Sequence, residues 1–497
     1  MYYISNDKKK KRPLLKNRIS LINYSMLCLS LYFNSKCIVN CYLQRTYSNS
    51  KRYAFMEGRF MTRIERHHMV ISDLSETNTE PQLANAEEIK IGKVVVSKGK
   101  ARLFKEGNPL VYGGAIQSVR GNPDPGDLVV VTDVHDNAFA WGVFNPFSMY
   151  RVRILARKTD DKTGMPSVDL KGLLKKRIKT AKDLRQALNL PSELNTAYRL
   201  INGEGDHLSG LVVDVYGKLL VVSASALWVQ RWKKEITEAL KDTFDSDYEL
   251  VWRESESRLK QDGWQEEIID LTEEQKSSED RKLIVMDQGV KYQIRPEIGQ
   301  KTGFYCDQRE NRALVRELSE DRDVLDMFCY TGGFSLNAAL GNAKSVKGVD
   351  SSALAVETAT NNANLNGLAD KVDFVKADAY QFLKEVAEAG TMYDLIILDP
   401  PKLAPNRKSL PRAINKYKKL NAAALRCLRP GGLLFTFTCS SAMAQSGNFV
   451  SMVQDAASLT GSSIRLLKKV GTAPDHAISP LYPEGEYLFG ALFYHSV

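Results

Sequence analysis

The sequence is poor in cysteine. Seven are scattered through 497 residues: Cys28, Cys37, Cys41, Cys306, Cys329, Cys427 and Cys439. The number is odd and no C-x-x-C occurs, so a disulfide framework and a zinc ribbon are both excluded and no metal site is expected. Free thiols fit a reducing compartment. No internal repeat of solenoid or propeller type is present. The longest apolar run, Ile19 to Phe33, is broken by Asn23 and Ser25 and falls short of the roughly 20 residues a membrane span needs. No membrane partner is expected. The dinucleotide fingerprint G-x-G-x-x-G is also missing, which speaks against a nicotinamide dehydrogenase.

Acidic residues are missing from the N-terminus. Residues 1–55 hold 11 Lys/Arg and a single acid, Asp7. Removing them leaves 58 basic and 58 acidic residues, so the net charge of +10 belongs to a leader. The body carries no global field for nucleic acid, and any RNA-binding face must be a local patch. The basic leader, with Ser and Asn and almost no acid, favours import into an organelle, chloroplast or mitochondrion. A cytosolic or nuclear chain starting at Met56 is the alternative. Residues 72–88 are polar and acidic and read as a linker.

What remains is of ordinary globular composition, 43% hydrophobic and 26% charged, and long enough for about three domains. The expected organisation is a leader and linker over 1–88, a small β-rich unit over 89–157, an α+β middle domain over 158–295 and an α/β domain over 296–497. In the first unit IKIGKVVVS alternates, a Pro-Gly turn lies within 121–127, and DLVVVTD, AFAWGVFN and MYRVRILA follow as strands. In the middle domain, 170–190 has apolar residues at helical spacing. GLVVDVYGKLLVVSAS reads as a hairpin turning at Tyr216-Gly217, followed by an amphipathic helix. In the last domain, strands at 323–328, 345–350, 371–378, 394–399 and 432–438 alternate with helical patterns. That alternation predicts a mostly parallel, doubly wound sheet with ligands beyond the strand carboxyl ends.

Polar residues gather at those ends. The first strand runs into Asp326-Met327-Phe328-Cys329-Tyr330-Thr331-Gly332-Gly333-Phe334, where paired glycines allow close backbone approach. The second ends at Asp350-Ser351, the third at Asp378-Ala379, the fourth at Asp399-Pro400-Pro401-Lys402, the fifth at Thr438-Cys439-Ser440. A strand-end Asp alone is commonly a helix cap; the ordered set resembles the class I S-adenosylmethionine-dependent methyltransferases. That resemblance implies that Asp326, Phe328 and Tyr330–Phe334 cradle the methionine part of the cofactor. It implies that Asp350 and Ser351 hold the ribose, that Asp378 and Ala379 hold the adenine edge, and that Asp399 and Pro400 close the site. A Cys on such an edge suits a nucleophile. Carbon 5 of cytosine becomes methyl-accepting only after a thiolate adds to carbon 6, so Cys439 needs a lowered pKa or a nearby base. The plainer alternative is a small buried residue.

The resemblance extends further. RLINGEGD (199–206), LSGLVVDVYG (208–217) and GQKTGFYCDQRENR (299–312) look like segments of the bacterial large-subunit rRNA cytosine-5 methyltransferases, which carry an N-terminal PUA domain. Gly113–Ile116 and Trp141–Pro146 are similar to that PUA layout. The resemblance implies S-adenosylmethionine as cofactor and large-subunit rRNA as partner, and leaves the oligomeric state open, a homodimer included. Lys301, Tyr305, Arg309 and Lys402 are candidates for holding RNA, with bracing between domains or solvation as the alternative. Three departures stand out. The stretch Phe104–Tyr112 lacks the family's basic run, Leu403 stands where a Phe is common, and 252–279 is an acidic excursion. With no Cys after the fourth strand, Asp399 is the candidate base. Amino-group methylation and a binding-only assembly factor with a vestigial site are the rival readings.

Overall fold

A computed structural model describes residues 91–160, 164–265, 281–297 and 299–496. The leader and linker lie outside these residues, as does most of the acidic stretch after Gln265. Glu87–Val497 forms one compact unit.

The N-terminal sheet has six strands: β1 (Gly92–Val96), β2 (Leu110–Tyr112), β3 (Ile116–Arg120), β4 (Leu128–Thr132), β5 (Ala138–Phe144) and β6 (Tyr150–Arg157). Their order is β2-β6-β5-β4-β1-β3, with β1 and β4 parallel and the other pairs antiparallel. Val94, Val96, Val111, Val129, Val131 and Val152 fill its core. A short helix, Ala101–Lys105, interrupts the pattern expected to be all strand and turn.

The middle sheet is β7 (Ala197–Asn202), β8 (Leu211–Tyr216), β9 (Leu219–Ala224) and β10 (Glu249–Glu254), in the order β10-β9-β8-β7. The β8–β9 hairpin turns at Gly217, whose φ of +62° suits glycine. The helix Leu170–Ala187 is capped by Asp169, which accepts from the Gly172 amide, and buries Leu170, Leu174, Ile178 and Ala181 along one face. The single helix expected after the hairpin is two, Leu227–Arg231 and Lys233–Thr243, broken at Trp232. Trp252 also departs from expectation. It belongs to β10, and its indole donates to Gln230 Oε1 at 2.5 Å, so the acidic stretch begins inside the sheet. A hairpin of β11 (Leu283–Asp287) and β12 (Val290–Ile294) leads onward; its turn residues Gln288 and Gly289 both have positive φ.

The last sheet holds β13 (Asp323–Met327), β14 (Ser345–Asp350), β15 (Val372–Lys376), β16 (Tyr393–Leu398), β17 (Leu428–Thr438), β18 (Ser463–Val470) and β19 (Phe489–Ser496). The order is β15-β14-β13-β16-β17-β19-β18. The first five strands are parallel, and β19 runs antiparallel between β17 and β18. The strand order reverses between β13 and β16. The crevice beyond their carboxyl ends is the switch point where such sheets bind ligands. Both central strands are buried because helices cover both faces.

Polar side chains lock the middle sheet to the last one. Asp475 accepts from the Arg199 amide at 2.9 Å and from Arg309 Nη2 at 3.0 Å, while its carbonyl accepts from Arg185 Nη2 at 2.6 Å. Asp287 binds Arg309 and Arg312, and Asp214 binds Arg199. Removing one partner of such a buried pair leaves an uncompensated charge and costs about 3–5 kcal/mol. Asp475→Ala should therefore lower the midpoint of urea unfolding far more than loss of an exposed pair, such as Lys179→Ala beside Asp183.

Candidate active site

β13 delivers Asp326 to the cleft floor with no exposure to solvent. Its Oδ2 accepts from the Ser335 amide at 2.9 Å and hydroxyl at 2.6 Å. Its Oδ1 is buried without a partner. Burial, with the charges of Asp399 and Asp350 adding to it, pushes this carboxyl up to about 7. The chain then turns through three left-handed residues: Phe328 (φ +66°), Tyr330 (φ +49°) and Gly332 (φ +85°). A Cβ on Gly332 would lie 3.0 Å from Phe374 Cζ and 3.3 Å from Ala359 Cβ, so both conformation and space call for glycine.

Neighbouring strand ends hold this turn open. Asp350 accepts from the Tyr330 amide at 3.0 Å and the Ser352 amide at 2.9 Å, and the Thr331 carbonyl accepts from Asn362 Nδ2 at 3.0 Å. Asp378 caps the helix Ala379–Glu388 through the amides of Tyr380 and Gln381, using only Oδ1. Ser351 and Asp378 are exposed, while Ala379 is half-buried. Phe334 turns away from the cleft: it is buried and stacks on Phe437 at 5.5 Å. The orphaned Asp326 oxygen, the left-handed turn and the carboxylates at successive strand ends fit a ligand that brings a cationic amine and a ribose.

Across the switch point, Asp399 accepts from Gln308 Nε2 at 3.0 Å, and Gln308 is itself held by Asn311 at 2.6 Å. Burial, reinforced by the charge of Asp307, pushes Asp399 up to about 7. Cys439 follows β17, with its sulfur 3.9 Å from the Pro400 carbonyl. The backbone on either side of it is pinned. The Tyr417 hydroxyl meets Thr438 Oγ1 at 2.7 Å and Ser440 Oγ at 3.1 Å, and Ser440 Oγ accepts from the Ala404 amide at 3.1 Å. Tyr417 thus ties the helix Leu410–Arg426 to the strand end that carries the cysteine. Burial pushes the Cys439 thiol up to about 11; the Asp399 charge adds to this and the Lys301 charge opposes it. A lowered pKa, one of the two conditions expected for a nucleophile, is not met.

Lys301, in the left-handed region at φ +53°, ion-pairs with Asp307 at 2.5 Å and lies 4.1 Å from the Tyr305 ring centroid. Tyr305 meets Tyr330 edge-on at 5.3 Å, so this box joins the turn after β13 to the Cys439 side. Tyr487 donates to Asp307 Oδ2 at 2.6 Å. Lys402 is exposed on the loop after β16. Arg309 is not at the site. Expected to hold RNA, it is buried between Asp287, Asp475 and the Ala197 carbonyl, and braces the domains. Asp307 and Gln308 share the dense polar segment of Lys301, Tyr305 and Arg309, for which ordering the cofactor pocket, holding RNA or bracing the domains were the expected roles, whereas Tyr487 was not among the expected site residues. Tyr417 lies in Lys416-Tyr417-Lys418-Lys419, a run for which an RNA grip and a solvated helix face were equally expected, and no local pattern pointed to its hydrogen bonds beside Cys439.

Comparison with known proteins fits this arrangement. A PUA-like domain family matches residues 94–157, and an S-adenosylmethionine-dependent methyltransferase family matches residues 268–478. The chain is 35% identical over 401 residues to the ribosomal RNA large subunit methyltransferase I of Pseudoalteromonas atlantica, covering 80% of this chain and 98% of that one. It is 36% identical over 398 residues to the protein of the same name from Tolumonas auensis, with the same coverage. The chain belongs to the ribosomal RNA large subunit methyltransferase I family. As a member it is an S-adenosylmethionine-dependent methyltransferase. A Streptococcus mutans protein assigned as a SAM-dependent methyltransferase shares the fold, with a TM-score of 0.66 at 20% identity over 81% of this chain and 99% of its own. SMU.776, solved with S-adenosylhomocysteine, matches with the same TM-score and coverage at 22% identity.

Membership of the ribosomal RNA large subunit methyltransferase I family overturns the organelle destination read from the leader. The relatives are bacterial proteins, and bacteria have neither chloroplast nor mitochondrion. Among the described residues, no helix is long and apolar enough to cross a membrane. If the left-handed turn is the cofactor cradle, Gly332→Val should weaken S-adenosylhomocysteine binding in calorimetry by at least about tenfold, since φ > 0 and the Phe374 contact both oppose a branched side chain. Gly367→Val, which meets the same left-handed strain (φ +67°) in open space away from this turn, should leave binding by the folded protein unchanged.

Proposed function

We propose that this methyltransferase forms 5-methylcytosine in large-subunit rRNA, with Cys439 as nucleophile and Asp399 as base. The observation that carries the reading is the pair itself: a cysteine at the fifth parallel strand end and a carboxyl held near neutrality at the fourth, flanking one cleft. The relatives' name supplies the RNA class. The division at residues 157 and 295 into PUA-like, middle and catalytic domains is part of the proposal.

S-adenosylmethionine supplies the methyl group when bound, and Asp326, the turn Phe328–Gly333, Asp350, Ser351, Asp378, Ala379 and Pro400 would hold it. The target base must leave its stack to reach the cleft. Tyr305 and Lys301 would border the extruded base, and Lys402 would meet a phosphate. The Cys439 thiol gives its proton to water as the sulfur bonds to carbon 6, which leaves Asp399 unprotonated, and the electron pair displaced toward carbon 5 takes the methyl group, with S-adenosylhomocysteine as the leaving group. Asp399 then accepts the carbon-5 proton, the carbon–sulfur bond breaks with its electron pair returning to sulfur, and the double bond re-forms. A base with a pKa near 7 suits this step at neutral pH.

With labelled S-adenosylmethionine and rRNA lacking the modification, label should appear in 5-methylcytidine and vanish in Cys439→Ala. Label in an N-methylated nucleoside that survives Cys439→Ala would instead indicate amino-group methylation. Asp399→Asn should lower kcat by about 10²–10⁴ and accumulate a covalent protein–RNA species. The acid limb also follows. Below about pH 7 Asp399 keeps its proton and cannot accept another, so kcat should fall about tenfold per pH unit there. A flat profile from pH 5 to 8 would remove Asp399 from the base role.

A further inference from the structure

One face of the catalytic domain carries charge that the chemistry above does not use. Between Asp399 and Asp455 the chain holds nine Lys or Arg and no acidic residue, although the body as a whole is formally neutral. The helix Leu410–Arg426 lies in this stretch. Residues three and four apart share a helix face, so Arg412, Lys416 and Lys419 form one row, rising about 6 Å and then about 5 Å along the axis. All three are exposed, as are Lys402, Arg407 and Lys408 on the loop and short helix that lead in. Ala413, Tyr417, Asn421 and Ala424 are buried on the opposite side.

The row is unpaired. Of the nine cations, Arg429 alone forms an ion pair among the described residues, with Asp394 at 2.6 Å and Asp323 at 3.0 Å. The acids of the helix Ala379–Glu388, packed alongside, are occupied on that helix: Glu388 pairs with Lys384 at 3.7 Å, and Glu385 accepts from Gln381 Nε2 at 2.8 Å. The other lysine-rich helix, Leu170–Ala187, shows what a solvated basic face looks like. There Lys175 pairs with Asp242 at 2.7 Å, Lys179 with Asp183 at 2.9 Å and Lys171 with Glu238 at 3.9 Å. The unpaired row also opposes stability. Arg407, Lys408 and Arg412 crowd the positive end of the helix dipole, and no acid stands in the first turn. Charge kept against local stability points to an anionic partner.

Position selects the partner. Tyr417, on the buried side of the same helix, bonds Thr438 Oγ1 at 2.7 Å and Ser440 Oγ at 3.1 Å, the residues on either side of Cys439. The segment that starts at Asp399-Pro400-Pro401-Lys402 leads straight into this helix. A nucleotide that enters the cleft therefore has its flanking backbone on the surface these elements border. Between the cations the exposed residues are Pro411 and Asn415. With no exposed aromatic or large apolar side chain, the row suits phosphate and neither stacks bases nor enters a lipid surface.

We propose that Arg412, Lys416 and Lys419 form a docking row for the sugar–phosphate backbone of the RNA flanking the methylated nucleotide. The inference rests on RNA being the substrate, as read above, but not on the cysteine chemistry. The test uses the full chain saturated with S-adenosylhomocysteine, which has no methyl group to give, and a labelled transcript of large-subunit rRNA, in filter binding over a range of salt. Arg412→Gln, Lys416→Gln and Lys419→Gln together should flatten the dependence of log K on log salt by about 2, at about 0.7 per lost phosphate contact, and weaken binding about tenfold or more. The charge-conserving set Arg412→Lys, Lys416→Arg and Lys419→Arg should bind within about twofold of the parent. Lys171→Gln, Lys175→Gln and Lys179→Gln together, on the paired helix, should change the slope by less than about 0.5. In methyl transfer the triple Gln chain at the row should raise KM and leave kcat within about twofold. Its midpoint of thermal unfolding should match or exceed the parent's, because crowded charge has been removed, whereas a structural role would lower it. Unchanged S-adenosylhomocysteine affinity verifies folding. An equal loss in the Lys171 set, or failure of the charge-conserving set, would overturn the row. An unchanged salt slope in the triple Gln chain would overturn it too, and leave an acidic protein as the partner the charge fits. If the parent itself fails to bind the transcript, the RNA reading falls and the row with it; if the parent binds and the triple Gln chain binds alike, the row alone falls.

Discussion

A buried carboxylate, Asp475, joins the segments that frame the cleft. It takes hydrogen bonds from β7 through the Arg199 amide and from Arg309 at the start of the helix Arg309–Glu317, and its neighbour His476 bonds it at 3.1 Å. Arg309 passes the constraint to Asp287 on the β11–β12 hairpin, which also holds Arg312. The segment between hairpin and helix carries Lys301, Tyr305, Asp307 and Gln308. Fixing both of its ends sets the box around Lys301 and the Gln308 contact that orients Asp399. The segments resembling the family outside the catalytic sheet are thus largely braces: Arg199 with Asp214, Asp206 with Arg185, Asn202 with the Ala477 carbonyl.

The brace and the site respond to pH in opposite directions. Asp475 and Asp307 are held below the ordinary carboxylate range, Asp475 by His476 and Arg309, Asp307 by Lys301 and His476, both against burial. Their contribution to stability is present above about pH 4 and is lost as pH falls further. Asp326 and Asp399 are raised to about 7 by burial. Such groups favour the fold below about pH 4 and lose that contribution as pH rises through 7. Near neutrality the brace therefore supports two carboxyls whose burial works against the fold, the arrangement expected where function takes precedence over local stability.

Local patterns carried much of this. Continuous apolar runs marked the five parallel strands, because strands buried on both faces read that way. Asp326, Asp350, Asp378, Asp399 and Cys439 were legible because each sits where a strand stops. Contacts between distant residues were not legible. Arg309 and Asp475 are 166 positions apart, so nothing near either told bracing from RNA contact. The leader misled because its composition matched an import signal, and composition alone says nothing of the relatives.

The central claim, covalent catalysis by Cys439 with proton removal at carbon 5, is most directly tested with RNA in which the target cytosine is replaced by 5-fluorocytosine. Fluorine cannot leave as a cation, so the proton-removal step is blocked after the carbon–sulfur bond has formed. Incubation with S-adenosylmethionine, nuclease digestion and peptide mass spectrometry should find a methylated fluorocytidine adduct on the peptide carrying Cys439. An unmodified Cys439 peptide under conditions where unsubstituted RNA is methylated would contradict the account.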